Sequence, residues 1–335
     1  SEAHILHFLN SRVIAATHAN IPTFSGVPTK DFKYLQDLLQ AEIVCIQHGL
    51  AVQWMPHNLY AAYDNLKRFY CASESELNNL SHHQYGYGEG ALRLTGLARY
   101  DGLVSRSKRQ ILISPTWRSY IAMPSVAGNA RPYSDTFKDT TYYKVFNGLI
   151  RNRKLAETAA RCGYHVVYLL HPTLSSQVED FTPAPGIEVR SPIGASYEDM
   201  MTESDLMVTD FSGIQFDFAY MRKPIVYYHP TDLPAGYGEG GFNYREQGFG
   251  PICSDEETLV NELCRYMERE CRLDEFYAAR QNKFFAYDDH DNCLRIYQDL
   301  LEFDRKQQSD EREYKSFGFD GVPVLKTCVS DAGET

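Results

Sequence analysis

Short apolar runs alternate with amphipathic helical patterns along the second half of the chain. From residue 110 onward the runs QILIS, HVVYLL, IEVR, LMV and IVYY appear, and three helical stretches lie between them. A strand that is followed by a helix and then by another strand builds a parallel sheet with helices on its faces. The sequence therefore predicts an α/β fold around a doubly wound parallel sheet.

The first hundred residues repeat this pattern less strongly. Apolar runs at 12–17, 42–46, 65–70 and 91–94 predict strands, and residues 31–39 and 73–80 have helical periodicity. A chain of 335 residues is long enough for two separate cores. We therefore expect two Rossmann-like domains, at 1–108 and 109–284, followed by a helix at 285–305 and a polar tail at 306–335.

Composition excludes several classes of protein. The formal net charge of −11 disfavours a general nucleic-acid binder, and no apolar run reaches the length of a membrane-spanning helix. The eight cysteines are scattered without a CxxC pair, which favours reduced thiols in a cytoplasmic protein. Basic clusters at 67–68, 106–109 and 151–154 are either solvated faces or contacts for an anionic polymer or lipid headgroups at the inner face of a membrane.

The segment from Glu203 to Asp232 carries the most informative turn. Its polar residues stand between a buried strand and a helix, and they are Thr209, Asp210, Ser212 and Gly213. A helix start offers unpaired backbone N–H groups and a positive dipole end, which together bind phosphate. The turn is therefore either a phosphate site, with Ser212 as a hydroxyl donor, or an ordinary turn in which Ser212 caps the helix.

Three further strand ends terminate in side chains suited to catalysis. His48 follows the run at 42–46, Arg118 follows 110–114, and His171 follows 165–170. In a parallel sheet such ends meet at the edge that carries the ligand crevice. A histidine is the natural general base for a hydroxyl, and an arginine with a second histidine suits the stabilisation of a diphosphate leaving group. Each of these side chains taken alone is equally consistent with a structural loop residue.

Common nucleotide-binding and hydrolase motifs are absent. The sequence contains no GxxxxGK[ST], GxSxG or HExxH, so a P-loop NTPase, a serine hydrolase and a zincin are unsupported. His290 and Cys293 lie beside aspartates, but no second ligand pair accompanies them, so we expect no metal site.

The order of the strand-end motifs resembles the CDP-glycerol glycerophosphotransferase family, which makes teichoic acids and capsules. The resembling segments are Gln47-His48-Gly49, Thr95 to Asp101, Ile113 to Arg118, His171-Pro172, Ser204 to Asp217, Lys223-Pro224-Ile225 and Gly250-Pro251. Three positions depart from the family pattern, at Leu50-Ala51, Ala98 and Gly213, and the last removes a hydroxyl from the turn. Residues 1–40 resemble the later part of an N-terminal domain that lacks its first strands.

The resemblance implies a GT-B fold with the active site in the cleft between its two domains, and a last helix that packs back on the N-terminal domain. It also implies a transferase that moves glycerol phosphate or another alditol phosphate from CDP-glycerol or CDP-ribitol to a polymer or lipid-linked acceptor. His48 would be the base, with Arg118 and His171 at the leaving group. The donor-binding residues would be Thr209, Asp210, Ser212, Gly213, Pro192, Ile193 and Tyr197, supported by Gly49, Arg99, Asp101 and Asp217. No obligatory cofactor or metal is implied.

Two other functions remain open at this stage. A GT-B fold does not fix the donor, so a glycosyltransferase that uses a nucleotide sugar is one alternative. A nucleotide-binding scaffold without activity is the other, favoured by the serine-to-glycine departure at Gly213.

Overall fold

The protein is an α/β structure with two parallel sheets, as the sequence predicts. The computed structural model describes residues 2–18, 41–56, 59–61, 66–121, 131–194, 196–233, 235 and 241–316. The helix predicted at 31–39 lies outside these residues, as do residues 122–130 of the polar, Gly- and Pro-containing segment at 119–139, for which the sequence predicts a long loop.

The N-terminal sheet contains four described strands in chain order, all parallel. They are β1 (Val13–Ala16), β2 (Glu42–Cys45), β3 (Leu66–Cys71) and β4 (Leu92–Leu94). Helix α1 (Glu2–Asn10) precedes them, and α2 (Glu74–Leu80) follows β3. The hydroxyl of Ser73 caps α2 by accepting from the backbone N–H of Glu76, as the spacing of Ser73 and Glu76 predicts.

The C-terminal sheet has six parallel strands and the doubly wound order β10-β9-β8-β5-β6-β7. The strands are β5 (Gln110–Ile113), β6 (His165–Leu169), β7 (Ile187–Arg190), β8 (Ser204–Thr209), β9 (Ile225–Tyr228) and β10 (Ile252–Cys253). Strands β6 and β7 lie on one side of β5, and strands β8, β9 and β10, which come later in the chain, lie on its other side. The sheet therefore switches direction between β5 and β8, where open α/β sheets place their ligands.

Eight further helices connect or follow these strands. They are α3 (Thr141–Ile150), α4 (Arg153–Cys162), α5 (Tyr197–Glu203), α6 (Gln215–Tyr220), α7 (Tyr244–Gln247), α8 (Glu256–Glu268), α9 (Glu275–Phe284) and α10 (Asn292–Ser316). Short 3-10 turns occur as well, including Ala98–Gly102 and Pro172–Asp180.

Both faces of the C-terminal sheet are buried, which explains its nearly continuous apolar strands. Along β5, Ile111 and Ile113 join a core with α3, α4 and α8, while Leu112 points to the opposite face. That opposite face packs against α5 and α6 and also against residues of the N-terminal half, among them Leu97 and Tyr100. The second core is thus shared between the two halves of the chain.

The structure differs from the sequence patterns at three helix boundaries. The amphipathic pattern at 141–162 predicts one helix, but the structure has two, because Asn152 caps α4 by accepting from the N–H of Leu155. The helix after the Ser212 turn begins at Gln215, and its N-cap Ile214 has no side-chain capping bond. Helix α10 continues to Ser316, past the predicted loss of structure at residue 306.

Helix α10 packs against the N-terminal sheet. Its Asp299 accepts a hydrogen bond from the Tyr70 hydroxyl at 2.9 Å and pairs with Arg93 at 2.5 Å. Ile296 packs against Val44 and Tyr70. The chain therefore crosses between its two sheets twice, once before β5 and once before α10.

Candidate active site

A large cavity of about 1050 Å³ lies between the two sheets. Residues that follow the carboxyl ends of β2, β5, β6, β8, β9 and β10 all contribute to its lining. The predicted site residues that line it are His48, Gly49, Arg99, His171, Tyr197, Ser212 and Gly213. Side chains that follow strand ends in both halves of the chain therefore line the same cavity.

The environment of His48 defines which of its nitrogens carries the proton. Nδ1 of His48 lies 3.1 Å from the carbonyl oxygen of Thr17. A carbonyl oxygen only accepts, so Nδ1 is the N–H donor and Nε2 keeps a lone pair. The ring of His18 stacks on that of His48, with centroids 4.1 Å apart. His48 is exposed at the cavity, so its Nε2 is available to accept a proton.

Thr209 and Asp210 fasten the end of β8 to the end of β5. The Thr209 hydroxyl donates to the carbonyl of Ser114 at 2.8 Å, and Asp210 Oδ1 accepts from the N–H of Thr116 at 2.7 Å. Arg118 pairs with Asp210 Oδ2 at 2.9 Å, and both side chains are fully buried. None of the predicted residues Thr209, Asp210 and Arg118 lines the cavity. The structure places all three behind the turn, as its support.

Ser212 and Gly213 form the part of this turn that reaches the cavity. A methyl group built on Gly213 would meet no atom within 4 Å, so the space beside its backbone is open. Because the helix begins only at Gln215, the Ser212 hydroxyl is not used as a helix cap. Helix α6 has only six residues, so its dipole is small. An anion at this turn would be bound mainly by the Ser212 hydroxyl and by backbone N–H groups.

His171 is a neutral hydrogen-bond donor at the end of β6. Its Nδ1 accepts from the N–H of Thr173 at 3.2 Å, which leaves the proton on Nε2. Burial lowers the pKa of His171 to about 4, and the ring stacks against Trp117. His171 therefore reaches the cavity with a donor N–H and without a charge near neutral pH.

Arg99 and Asp101 hold the two halves of the chain together. Arg99 forms an ion pair with the fully buried Asp217 of α6, and its Nη1 donates to the carbonyl of His48. Asp101 accepts from the backbone N–H groups of Asn292 and Cys293 at the start of α10. The segment from Thr95 to Asp101 is thus a joint between the His48 loop, the C-terminal sheet and the last helix.

The segment 192–197 is only partly at the cavity. Tyr197 lines it, but Pro192 does not, and the side chain of Ile193 is 79% exposed beside a smaller depression near Arg190. Of these three predicted contacts, only Tyr197 lies among the residues that line the cavity.

The sequence matches the model of one protein family across most of its length. The CDP-Glycerol:Poly(glycerophosphate) glycerophosphotransferase model aligns with residues 29–302. This range includes the C-terminal sheet, strands β2 to β4 of the N-terminal sheet and every residue named above that lines the cavity except Thr17. The chain belongs to this family.

Curated relatives of this glycerophosphotransferase family member come from teichoic acid synthesis. The minor teichoic acid biosynthesis protein GgaB of Bacillus subtilis is 32% identical over 306 residues, covering 91% of this chain and 34% of GgaB. The teichoic acid glycerol-phosphate primase of the same organism is 22% identical over 249 residues, covering 72% of this chain and 59% of the primase. The chain thus spans about one third and three fifths of these two relatives.

Solved structures confirm the GT-B-like fold of the family member. The wall teichoic acid polymerase TagF aligns with a TM-score of 0.55 at 15% identity, over 80% of this chain and 70% of the polymerase. A putative UDP-N-acetylglucosamine 2-epimerase from Listeria monocytogenes also gives 0.55 at 15% identity, over 90% and 77% of the two chains. At this identity the likeness concerns the fold alone.

One histidine that lines the cavity, His229, was not among the residues predicted from the sequence. His229 follows β9, and its Nε2 donates to the carbonyl of Asp210 at 3.1 Å while its ring stacks on Phe211. It therefore supports the Ser212 turn from the side opposite β5. The signal was present in the sequence, because His229-Pro230 repeats at the end of β9 the His171-Pro172 pair that ends β6.

The cavity of this family member suits an anion. Among the described residues that line it there are two arginines, Arg99 and Arg245, and there is no aspartate, glutamate or lysine. No group of three histidine, cysteine or acidic side chains that could hold a metal ion occurs within the described ranges. Positive charge and N–H or O–H donors are therefore what the lining offers to a phosphate.

Proposed function

We propose that the protein transfers a glycerol-phosphate or another alditol-phosphate unit from a CDP-alditol to the hydroxyl of an envelope polymer. The observation that carries this proposal is the arrangement of His48, whose Nε2 has no hydrogen-bond partner among the described residues, in one cavity with His171 and the Ser212–Gly213 turn. Membership of the glycerophosphotransferase family and relatives named for teichoic acid synthesis support this donor class.

In the proposed reaction, His48 Nε2 takes the proton from the acceptor hydroxyl. The acceptor oxygen then forms a bond to the β-phosphorus, and the bond from that phosphorus to the bridging oxygen of CMP breaks. Catalysis of this kind consists of positioning and of stabilising the charge on the phosphate oxygens. His171 Nε2–H, the Ser212 hydroxyl and the backbone N–H of Gly213 are the donors that we assign to the diphosphate.

We assign Arg118, Asp210 and Thr209 a supporting role within the same proposal. Arg118 and Asp210 form a buried pair that holds the turn, so Arg118 would act through the position of Ser212. The side chains that remain candidates for direct charge stabilisation are Arg99 and Arg245 at the cavity. We propose that no metal ion or other cofactor is required.

A donor panel tests the proposed substrate class. The 335-residue chain would be mixed with CDP-glycerol, CDP-ribitol or UDP-N-acetylglucosamine and a synthetic poly(glycerol phosphate) oligomer, and released CMP and UDP would be measured. We expect CMP release from a CDP-alditol. Release of UDP alone would support a nucleotide-sugar glycosyltransferase, and binding without turnover would support an inactive scaffold.

Replacement of His48 tests its role as the base. The variant His48→Ala should lower the rate of CMP release by about 10²- to 10⁴-fold, the usual contribution of a positioned acid or base. Donor affinity should change little, because His48 is assigned to the acceptor. The control is His83→Ala, since His83 is exposed and does not line the cavity. Undiminished turnover in His48→Ala would refute the assignment.

The proposed reaction also requires an acceptor hydroxyl. We propose a poly(glycerol phosphate) or lipid-linked acceptor that the protein meets in the cytoplasm at the inner face of the membrane. Within the described ranges, none of the helices combines the length and apolar character that a membrane crossing needs. Several cations of the basic clusters pair with carboxylates, in Lys67–Glu42, Arg68–Asp299, Arg106–Asp199, Lys108–Glu203 and Arg153–Glu157. A membrane contact therefore gains no support from these clusters.

A further inference from the structure

A fully buried carboxylate, that of Glu76 on α2, holds the loop that carries His48. Oε1 of Glu76 accepts from Nε2 of Gln47 at 2.8 Å and from the backbone N–H of Ala51 at 2.7 Å. Oε2 accepts from the N–H of Ala72 at 2.8 Å. The relative exposure of Glu76 is 0%. Two of its three hydrogen bonds therefore go to the residues on either side of His48.

Helix α2 does not need this carboxylate for its own start. The hydroxyl of Ser73 already accepts from the N–H of Glu76, and the carboxylate reaches past the cap to Ala72 and to the loop. Burying a carboxylate without a cation partner is costly, and no ion pair to Glu76 is present among the described residues. The carboxylate instead receives three N–H donors, from Gln47, Ala51 and Ala72, and an apolar side chain would leave them without this acceptor.

The loop that Glu76 holds has a constrained backbone. Gln47 adopts a φ of 58°, a left-handed conformation that is uncommon for a residue other than glycine. Its side-chain amide donates to the carboxylate and also to the carbonyl of Tyr70. The amide of Ala51 fixes the other end of the loop. Because both ends are fastened, His48 is presented from a short and rigid segment.

We propose that Glu76 is a positioning residue, whose ionised carboxylate fixes the loop 47–51 and thereby the place of the His48 imidazole in the cavity. The inference rests on the proposed role of His48 as the base, and it assigns no contact between Glu76 and a substrate. Charge-assisted hydrogen bonds to a carboxylate are about twice as strong as neutral ones, so the loop is held most firmly when Glu76 is ionised.

The proton affinity of Glu76 makes this positioning dependent on pH. Burial raises the pKa of Glu76 to about 7, although its three hydrogen bonds oppose the change. Cys71 of β3 and Tyr100 of the 98–102 turn interact with it, and Cys45 of β2 lies near Cys71. Burial raises the pKa of Cys71 and of Tyr100, so both stay protonated near neutral pH. Among Glu76, Cys71 and Tyr100, the group that takes up a proton near pH 7 is therefore Glu76.

The first test is the variant Glu76→Gln, which keeps the shape of the side chain and removes its charge. The matched control is Glu74→Gln, because Glu74 lies on the same turn of α2 and is exposed. With CDP-glycerol and a poly(glycerol phosphate) oligomer, we expect kcat for CMP release to fall about tenfold, since loss of position costs rate more than binding. The KM for CDP-glycerol should stay within about twofold.

The pH profile separates positioning from a merely structural role. Below pH 7 log kcat should fall more steeply in the wild type than in Glu76→Gln, by about one unit of slope, because only the wild type takes up a proton at Glu76. A uniform loss of kcat in Glu76→Gln, with the same slope as the wild type, would overturn the proposal.

Two measurements without substrate keep the test independent of the proposed function. The His48 ring C2–H resonance of the wild type should show an inflection near pH 7 from Glu76, and this inflection should be missing in Glu76→Gln. In the wild type, the protection factor of the Ala51 amide against hydrogen exchange should be lower at pH 6 than at pH 8. Absence of the Glu76 inflection together with an unchanged Ala51 protection factor would refute the positioning role, whether or not the protein releases CMP.

Discussion

Nε of Arg99 donates to Oδ1 of Asp217 at 2.8 Å, and this ion pair joins the N-terminal half of the chain to helix α6 of the C-terminal half. The same guanidinium also donates to the carbonyl of His48. One side chain therefore connects the proposed base to the helix that follows the Ser212–Gly213 turn, the proposed diphosphate site.

Removal of Arg99 should destabilise the protein strongly. Asp217 is fully buried, and Arg99→Ala leaves its carboxylate without a cation, at a cost of about 3 kcal/mol in the free energy of unfolding. The control is Arg106→Ala, which breaks an exposed pair with Asp199 and should cost about 1 kcal/mol or less. Urea unfolding of both variants measures the difference, and equal losses would show that the Arg99 pair is not special.

His171 should make stability depend on pH. Its folded pKa is about 4 and its ordinary value is 6.5, so between these values the unfolded chain binds the proton more tightly. The free energy of unfolding should therefore fall as pH drops from 6.5 to 4, by up to about 3 kcal/mol from this residue. The variant His171→Gln should lose this part of the slope. Urea unfolding of the variant and of the wild type at pH 4 to 7 measures how the free energy of unfolding of each protein depends on pH. An equal pH dependence in both would contradict the prediction.

Two glycines should respond to alanine in opposite ways. At Gly213 an added methyl group meets no protein atom, so Gly213→Ala should fold with unchanged stability. CDP-glycerol should bind about tenfold more weakly, equivalent to about 1.4 kcal/mol, because the methyl group occupies space beside the proposed diphosphate.

Gly96 is the counterpart, with a φ of +81° and a built Cβ only 1.7 Å from Oδ1 of Asn292. Gly96→Ala should lower the free energy of unfolding by about 2 to 4 kcal/mol. Calorimetric titration and thermal unfolding together separate the two effects. Full donor affinity in Gly213→Ala would argue against the turn as the diphosphate site.

Asp101 should govern the docking of α10. Its carboxylate accepts from the first N–H groups of that helix, so Asp101→Ala should cost about 1 to 2 kcal/mol, as the loss of a helix cap does. Hydrogen exchange should increase in the first turn of α10 before it does in the C-terminal sheet. Asp288→Ala is the control, because Asp288 is 80% exposed and lies 3.6 Å from its partner Arg222. An exchange pattern shared by both variants would contradict the capping role.

Apolar patterns were enough to predict the described strands β1 to β9 and the edge at which the cavity lies, but not the two-residue strand β10, which is too short to show a pattern. The two histidines and the Ser212 turn meet there because parallel strands bring their carboxyl ends together, which requires no knowledge of side-chain contacts. The buried ion pair between Arg118 and Asp210 could not be predicted from the sequence. The two residues face each other only because β5 and β8 are paired in the sheet, and the strand order is not visible in the apolar pattern. The break between α3 and α4 was missed because apolar periodicity continues across Asn152, whose capping bond depends on local backbone geometry.

The two crossings between the sheets limit how the cavity can open. The chain passes from one half to the other at residues 103–109 and again at 285–291. The start of α10 is tied to the N-terminal half through Asp101 and to the C-terminal half through the Tyr220 hydroxyl, which accepts from the side-chain amide of Asn292. A single linker would allow rotation in any direction. Because two linkers join the halves, we expect any opening of the cavity to be a rotation about the line between the linkers, and such a rotation would have to break the Arg99–Asp217 pair.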